Sequence, residues 1–197
     1  MPYSKFDLVN VQQKFGLTLR ETGHFLPDFH PVEPDELLKA TLRENIPIAL
    51  AQGNEKDRSE WIINPVLTAV RRLSSVDLTV FSGREFSVDP AQDLVGYVDF
   101  LIARSPHLLI LEAPILMLVE AKPENLNASL GQCAAEMIAA QIFNQQPEQS
   151  VYGCVTNGES WKFLKLHQTD LTIDLEPYPL EPLSRLLGIL SYLAAEG

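Results

Sequence analysis

The apolar positions of this chain change period several times, and each change marks an element. Leu37, Leu38, Leu42 and Ile46 recur at helical spacing, which predicts a first helix within 35–52, ended or kinked by Pro47. The same period runs through Trp61, Ile62, Val66, Leu67, Val70 and Leu73, a second helix over 55–73 with Asn54 as its N-cap. Pro65 removes a backbone donor inside it and predicts a kink or split near Asn64. Strand patterns follow over 78–81 and 84–88, separated by a turn at Ser82-Gly83, and again over 95–103 and 115–121. The unbroken run Ile115-Leu116-Met117-Leu118-Val119 suits a central strand covered on both faces. Small apolar residues over 125–146 predict a crossover helix packed closely on a sheet. The runs 151–156 and 161–166 flank Asn157-Gly158 and read as a hairpin closed by a tight type I′ turn. A short amphipathic helix over 183–195 closes the chain.

Residues 1–34 read as an extended arm, packing through Leu8, Val11, Phe15 and Leu17 and pairing as an edge strand, with Pro27, Pro31 and Pro34 marking a loop. Helix, strand meander, helix, strands and helix in that order give a mixed α/β sandwich, one domain over 1–197 with its core within 55–166. At 197 residues, with no repeat or low-complexity tract, nothing divides the chain.

Charge narrows the function. A net charge of −11 argues against a general nucleic-acid coat, which draws on Lys and Arg to neutralise phosphates. Arg71, Arg72, Arg84, Arg104 and Lys122 are the candidates for a local basic face. Cys133 and Cys154 are too few for a disulfide framework or a zinc site and read as buried thiols. His24, His30, His107 and His167 show no paired spacing for zinc or for a His-based triad, and Trp61 and Trp161 read as packing residues. No apolar run approaches the roughly 18 residues that span a bilayer, and the N-terminus lacks a signal-peptide core, so a soluble cytoplasmic protein without membrane contact is expected.

Two charged interruptions of apolar strands carry the candidate chemistry: Gly96-Tyr97-Val98-Asp99, and Glu120-Ala121-Lys122 at the end of the central strand. A buried, unpaired carboxylate costs several kcal/mol, so these acids call for a compensating cation. Alternate strand residues share a face, which puts Glu120 and Lys122 together; a neighbouring strand would bring Asp99 to Glu120. Their oxygens, with the Ala121 carbonyl, form a hard-metal site for Mg²⁺ or Mn²⁺. The Lys122 ammonium would orient an attacking water or stabilise a pentavalent transition state. The plainer alternative is a strand-end ion pair, with Asp99 accepting backbone hydrogen bonds or pairing with Arg84 or Arg104.

Gly96-x-x-Asp99, Glu120-x-Lys122 and the following helix resemble the PD-(D/E)XK, or restriction-endonuclease-like, nuclease superfamily. The resemblance implies an αβββαβ core, a mixed central sheet flanked by helices, and Mg²⁺-dependent cleavage of a nucleic-acid phosphodiester, DNA in the first instance. It makes Asp99, Glu120 and Lys122 the catalytic trio, adds Glu60 from the preceding helix to the metal site, with Asn64 one turn later on the same face, and adds Gln132 from the following helix as a helper. One branch carries a Tyr four residues after that Gln; here Glu136 holds the place, and Val98 stands where a Pro usually precedes the Asp. The segment from Gly153 to Phe163 resembles the C-terminal hairpin of small members. Two further readings accommodate the acidic charge: a catalytically inactive nuclease-fold protein acting as a binding or regulatory subunit of a DNA-processing system, and a metal-dependent hydrolase of small phosphate esters. A homodimer would let a single-site enzyme cut both strands, and a basic partner protein would bring the phosphate in.

Overall fold

The computed structural model describes residues 2–27, 29–122 and 124–196. The helical patterns fold as α2 (Glu36–Gln52), α3 (Glu55–Arg58) and α4 (Asn64–Leu73), after α1 (Leu8–Phe15). Asp35 caps α2 by accepting from the Leu38 N–H at 2.8 Å, and Pro47 sits inside that helix without ending it. The break expected near Asn64 is a π turn over Ser59–Ile63, in which the Asn64 N–H reaches back to the Ser59 carbonyl just before Pro65.

Among the described residues, eight strands form one mixed sheet: β1 (Thr18–Thr22), β2 (Leu78–Glu85), β3 (Tyr97–Arg104), β4 (Ile115–Ala121), β5 (Val151–Thr156), β6 (Ser160–His167), β7 (Asp170–Asp174) and β8 (Tyr178–Pro179). Their order is β1-β7-β6-β5-β4-β3-β2, with β8 on β6; β4/β5 and β1/β7 are parallel and the other pairs antiparallel. Helix α5 (Leu130–Asn144) makes the crossover between β4 and β5, as parallel neighbours require. It shares one face of the sheet with α1, while α2, α4 and α6 (Leu183–Glu196) cover the other, so β4 is buried along its whole length. The result is an α/β fold with helices on both faces. No helix among the described residues is long and apolar enough to cross a membrane.

Three local expectations change. The N-terminal arm is not extended throughout: Asp7 caps α1 by accepting from the Asn10 N–H at 2.7 Å, while the edge strand expected of the arm is present as β1, paired in parallel with β7 at the sheet edge. Ser82-Gly83 is not a turn; β2 runs through it, and Gly83, at φ 58°, sits opposite Asp99 between the Ser82–Phe100 and Arg84–Val98 pairs. The hairpin loop is not type I′, since only Gly158 takes a left-handed φ, 87°. Asn157 instead accepts from the Glu159 and Ser160 N–H groups through its side chain.

Gly131 lets α1 approach α5, because an added Cβ would overlap the Asp7 backbone. Gly131→Ala is therefore expected to destabilise by about 1–3 kcal/mol, read as a lower urea midpoint. A second expectation concerns Asp174, which is fully buried at the end of β7 and accepts from the Phe25 N–H at 2.7 Å. Burial pushes its carboxyl up to about 6. Folding then favours the protonated form, so this group's contribution is full below its ordinary pKa and is lost as pH rises towards 6. Thermal midpoints of Asp174→Asn minus wild type are expected to rise between pH 4 and pH 7.

Candidate active site

The start of β3 and the end of β4 meet at one end of the sheet. In β4, Val119 and Ala121 enter the core beneath α4 and α6, whereas Leu118 packs towards α5 and Glu120 follows it by alternation. Phe100 opposes Val119 across β3/β4, which brings Asp99 beside the end of β4, where its Oδ2 accepts from the Ala121 N–H at 2.8 Å. Lys122 leaves the strand with its N–H on the Thr156 carbonyl at 2.8 Å. Its Nζ lies 2.7 Å from Glu120 Oε1 and 3.4 Å from Glu55 Oε2. The sheet therefore brings Asp99, Glu120 and Lys122 together, and Asp99 is bonded to backbone at Ala121.

Glu120 is 1% exposed. Burial, reinforced by the Asp99 charge, pushes its carboxyl up to about 8, with Lys122 pulling the other way. Burial works against the Lys122 ammonium too, but Glu120, Glu55 and Asp99 outweigh it and hold Lys122 above the ordinary lysine value. The second oxygen, Glu120 Oε2, is buried without a hydrogen-bond partner. Such an oxygen is costly unless a proton or a cation occupies the space before it.

Helix α5 contributes Glu136, fully buried, whose Oε1 accepts from Gln132 Nε2 at 3.0 Å and whose Oε2 is likewise buried without a partner. Burial and the nearby Glu120 raise its carboxyl well above the usual range. Gln132 thus acts on Glu136 in this structure. The polar strip along α5 is a Gln–Glu pair in which Glu136, read above only as occupying a Tyr position, is the buried member.

The helix acids divide differently from the expectation. Glu60 is exposed and pairs with Lys56 at 3.0 Å; it shares a cleft of about 230 Å³ with Glu55, Ser59, Gly83, Asp99 and Ala121. The acid that reaches Lys122 is Glu55, in the first turn of α3, a residue the sequence reading passed over. Its signal is slight, because an acid just after an N-cap is already favoured by the helix dipole. Asn64 is exposed and accepts from Thr68 Oγ1 at 3.4 Å, so it does not join the site. The expected basic face is not assembled either. Arg71 donates to the Leu78 carbonyl, Arg72 pairs with Asp35, Arg104 donates to the Ala195 carbonyl, and Arg84 lies over the Phe81 ring.

Asp99 and Glu120 offer oxygen only, which suits Mg²⁺ or Mn²⁺, and the unpartnered Glu120 Oε2 fits a cation there. Among the described residues, no group of three or more His, Cys, Asp or Glu side chains is placed to hold a metal ion. Mg²⁺ commonly binds through one or two carboxylates, with water and substrate phosphate completing its shell. Comparison with protein-family models, curated proteins and solved structures finds no match to this chain.

Proposed function

We propose that this chain is a divalent-cation-dependent nuclease with a restriction-endonuclease-like core of the PD-(D/E)XK type, hydrolysing a phosphodiester bond of DNA. The observation that carries the reading is the state of Glu120: buried, one oxygen on Lys122 Nζ at 2.7 Å and the other unpartnered, with Asp99 alongside. Asp99 and Glu120, with the Ala121 carbonyl, would hold Mg²⁺ or Mn²⁺, which supplies Lewis-acid stabilisation of phosphate charge and a more acidic water. Lys122 orients the attacking water and offsets charge growing on the phosphate. Gln132 fixes Glu136 behind Glu120. The test is incubation with single- and double-stranded DNA and RNA in Mg²⁺ or Mn²⁺, beside Lys122→Ala and Glu120→Ala proteins. Cleavage lost in both supports the reading; cleavage surviving both overturns it.

A second reading rests on a separate observation, the lining of the cleft by three acids, Glu55, Glu60 and Asp99, against one base, Lys56, in a chain of net charge −11. It makes the protein a non-catalytic, nuclease-fold subunit that meets a basic partner. Wild-type protein inert on all four substrates in both cations would favour it.

A further inference from the structure

Lys162 is a buried cation outside the site described above. It stands in β6 opposite Val155 of β5, and Val155 in turn pairs with Glu120 of β4. Residues paired in register share a face, so Lys162 and Glu120 lie in one row on the α5 side, two strand spacings or about 10 Å apart at the backbone. Both stand at the same end of the sheet, Glu120 near the end of β4 and Lys162 near the start of β6.

Lys162 is 6% exposed, and its Nζ donates to Asn127 Oδ1 at 2.8 Å. Among the described residues no carboxylate lies within ion-pair distance of it; Asp174 and Glu21 are the acids whose charges reach it from further away. Burial outweighs them and lowers its pKa. An ammonium has three donors, and a neutral amide satisfies one of them without compensating the charge. Asn127 belongs to the 3₁₀ turn Leu126–Ser129, which runs directly into α5, the helix of Gln132 and Glu136. A buried, under-compensated cation is thus tied to the lead-in of the helix that backs the candidate metal site.

We propose that Lys162 and Asn127 form a phosphate subsite, taking a nucleic-acid backbone phosphate close to the one cut at Glu120. The subsite rests on the nuclease reading for its ligand. Lys162 meets the phosphate as a charge, and the Asn127 amide, already accepting from Lys162, turns its N–H₂ donors towards the same oxygens.

The experiment compares wild type, Lys162→Met and Lys162→Arg for anisotropy binding of labelled single-stranded DNA in Ca²⁺ across a salt series, and for the thermal shift caused by inorganic pyrophosphate. Lys162→Met is expected to weaken DNA binding about tenfold and to reduce the slope of log K against log salt by about 0.7, while Lys162→Arg keeps the slope. Pyrophosphate is expected to raise the midpoint of wild type and not of Lys162→Met. A wild type that binds no DNA, but whose pyrophosphate shift needs Lys162, removes the nuclease reading and keeps the anion subsite. Unchanged affinity, slope and pyrophosphate response in Lys162→Met overturn the proposal, and a lower melting temperature alone makes Lys162 a pin between β6 and the 3₁₀ turn.

Discussion

For the proposed nuclease activity, Glu120→Gln is expected to lower the rate of phosphodiester cleavage by about 10²- to 10³-fold while leaving the cation-free protein no less stable than wild type. The two effects have one cause. Glu120 is a carboxylate inside a strand that is buried throughout, with one oxygen unpartnered. An isosteric amide keeps the volume and removes a charge whose burial the fold resists, so stability is held while the ligand is lost. Cation binding gives an independent readout. Mn²⁺ at a hundredfold excess over its Kd stabilises a one-site protein by about 2.7 kcal/mol, roughly 5–10 °C for a chain of this size. That rise is expected in wild type and absent in Glu120→Gln. An equal Mn²⁺ response in both proteins would place the cation away from Glu120, and unchanged cleavage would place the chemistry elsewhere.

Asp99 and Glu120 are legible in the sequence because a carboxylate inside an apolar strand pattern needs a partner, and the structure supplies the Ala121 N–H to Asp99 and the Lys122 ammonium to Glu120. Strand parity then carries Lys122 with Glu120, and the 2.7 Å contact has the geometry that parity requires. The crossover helix and the central strand are legible for the same reason, since each holds its period without interruption. Helices hide the acids of the candidate site better. Glu136 sits where an acid would ordinarily face water, and the burial of Cys133, Ala139 and Ala140, three or four residues away along α5, marks that face as internal. Glu55 has a complete local explanation at the start of α3, so its reach to Lys122 exists only once the sheet is assembled. Glu60 illustrates the reverse case: it has the position a helix acid should have, but Lys56, four residues before it, holds its carboxylate. The basic face fails on similar grounds, because Arg71, Arg72 and Arg104 each meet a backbone carbonyl or an acid that sequence spacing does not reveal. Asp7 before helix α1 and Gly16 after it are its start and stop signals, but Pro27, Pro31 and Pro34 beyond it read more strongly as an arm.

Lys122→Met should separate chemistry from cation binding. The ammonium contacts Glu120 and Glu55 and is a quarter exposed, so it stands between the buried carboxylate and water. Removing it is expected to reduce the proposed cleavage by about 10²- to 10³-fold, because the charge that would meet the developing phosphate charge is gone. In cation-free buffer the variant also loses about 1–3 kcal/mol, since Glu120 is left buried without its counter-charge; solvent access at Lys122 and protonation of Glu120 keep the loss below that of a sealed pair. Mn²⁺ is then expected to raise the thermal midpoint of Lys122→Met by at least as much as that of wild type. A divalent ion beside Glu120 replaces the missing ammonium in the variant, whereas in wild type it must share the carboxylate with one. Lys122→Arg is not expected to restore cleavage, because a planar guanidinium spreads its charge over a fork that does not reproduce a compact ammonium between two carboxylates. If Lys122→Met loses cleavage and the Mn²⁺ response together, Lys122 works by organising the acids around the cation. If the Mn²⁺ response is kept and cleavage is lost, it acts on the substrate, which is the expected outcome, because a divalent ion beside Glu120 takes over the carboxylate that Lys122 holds at 2.7 Å.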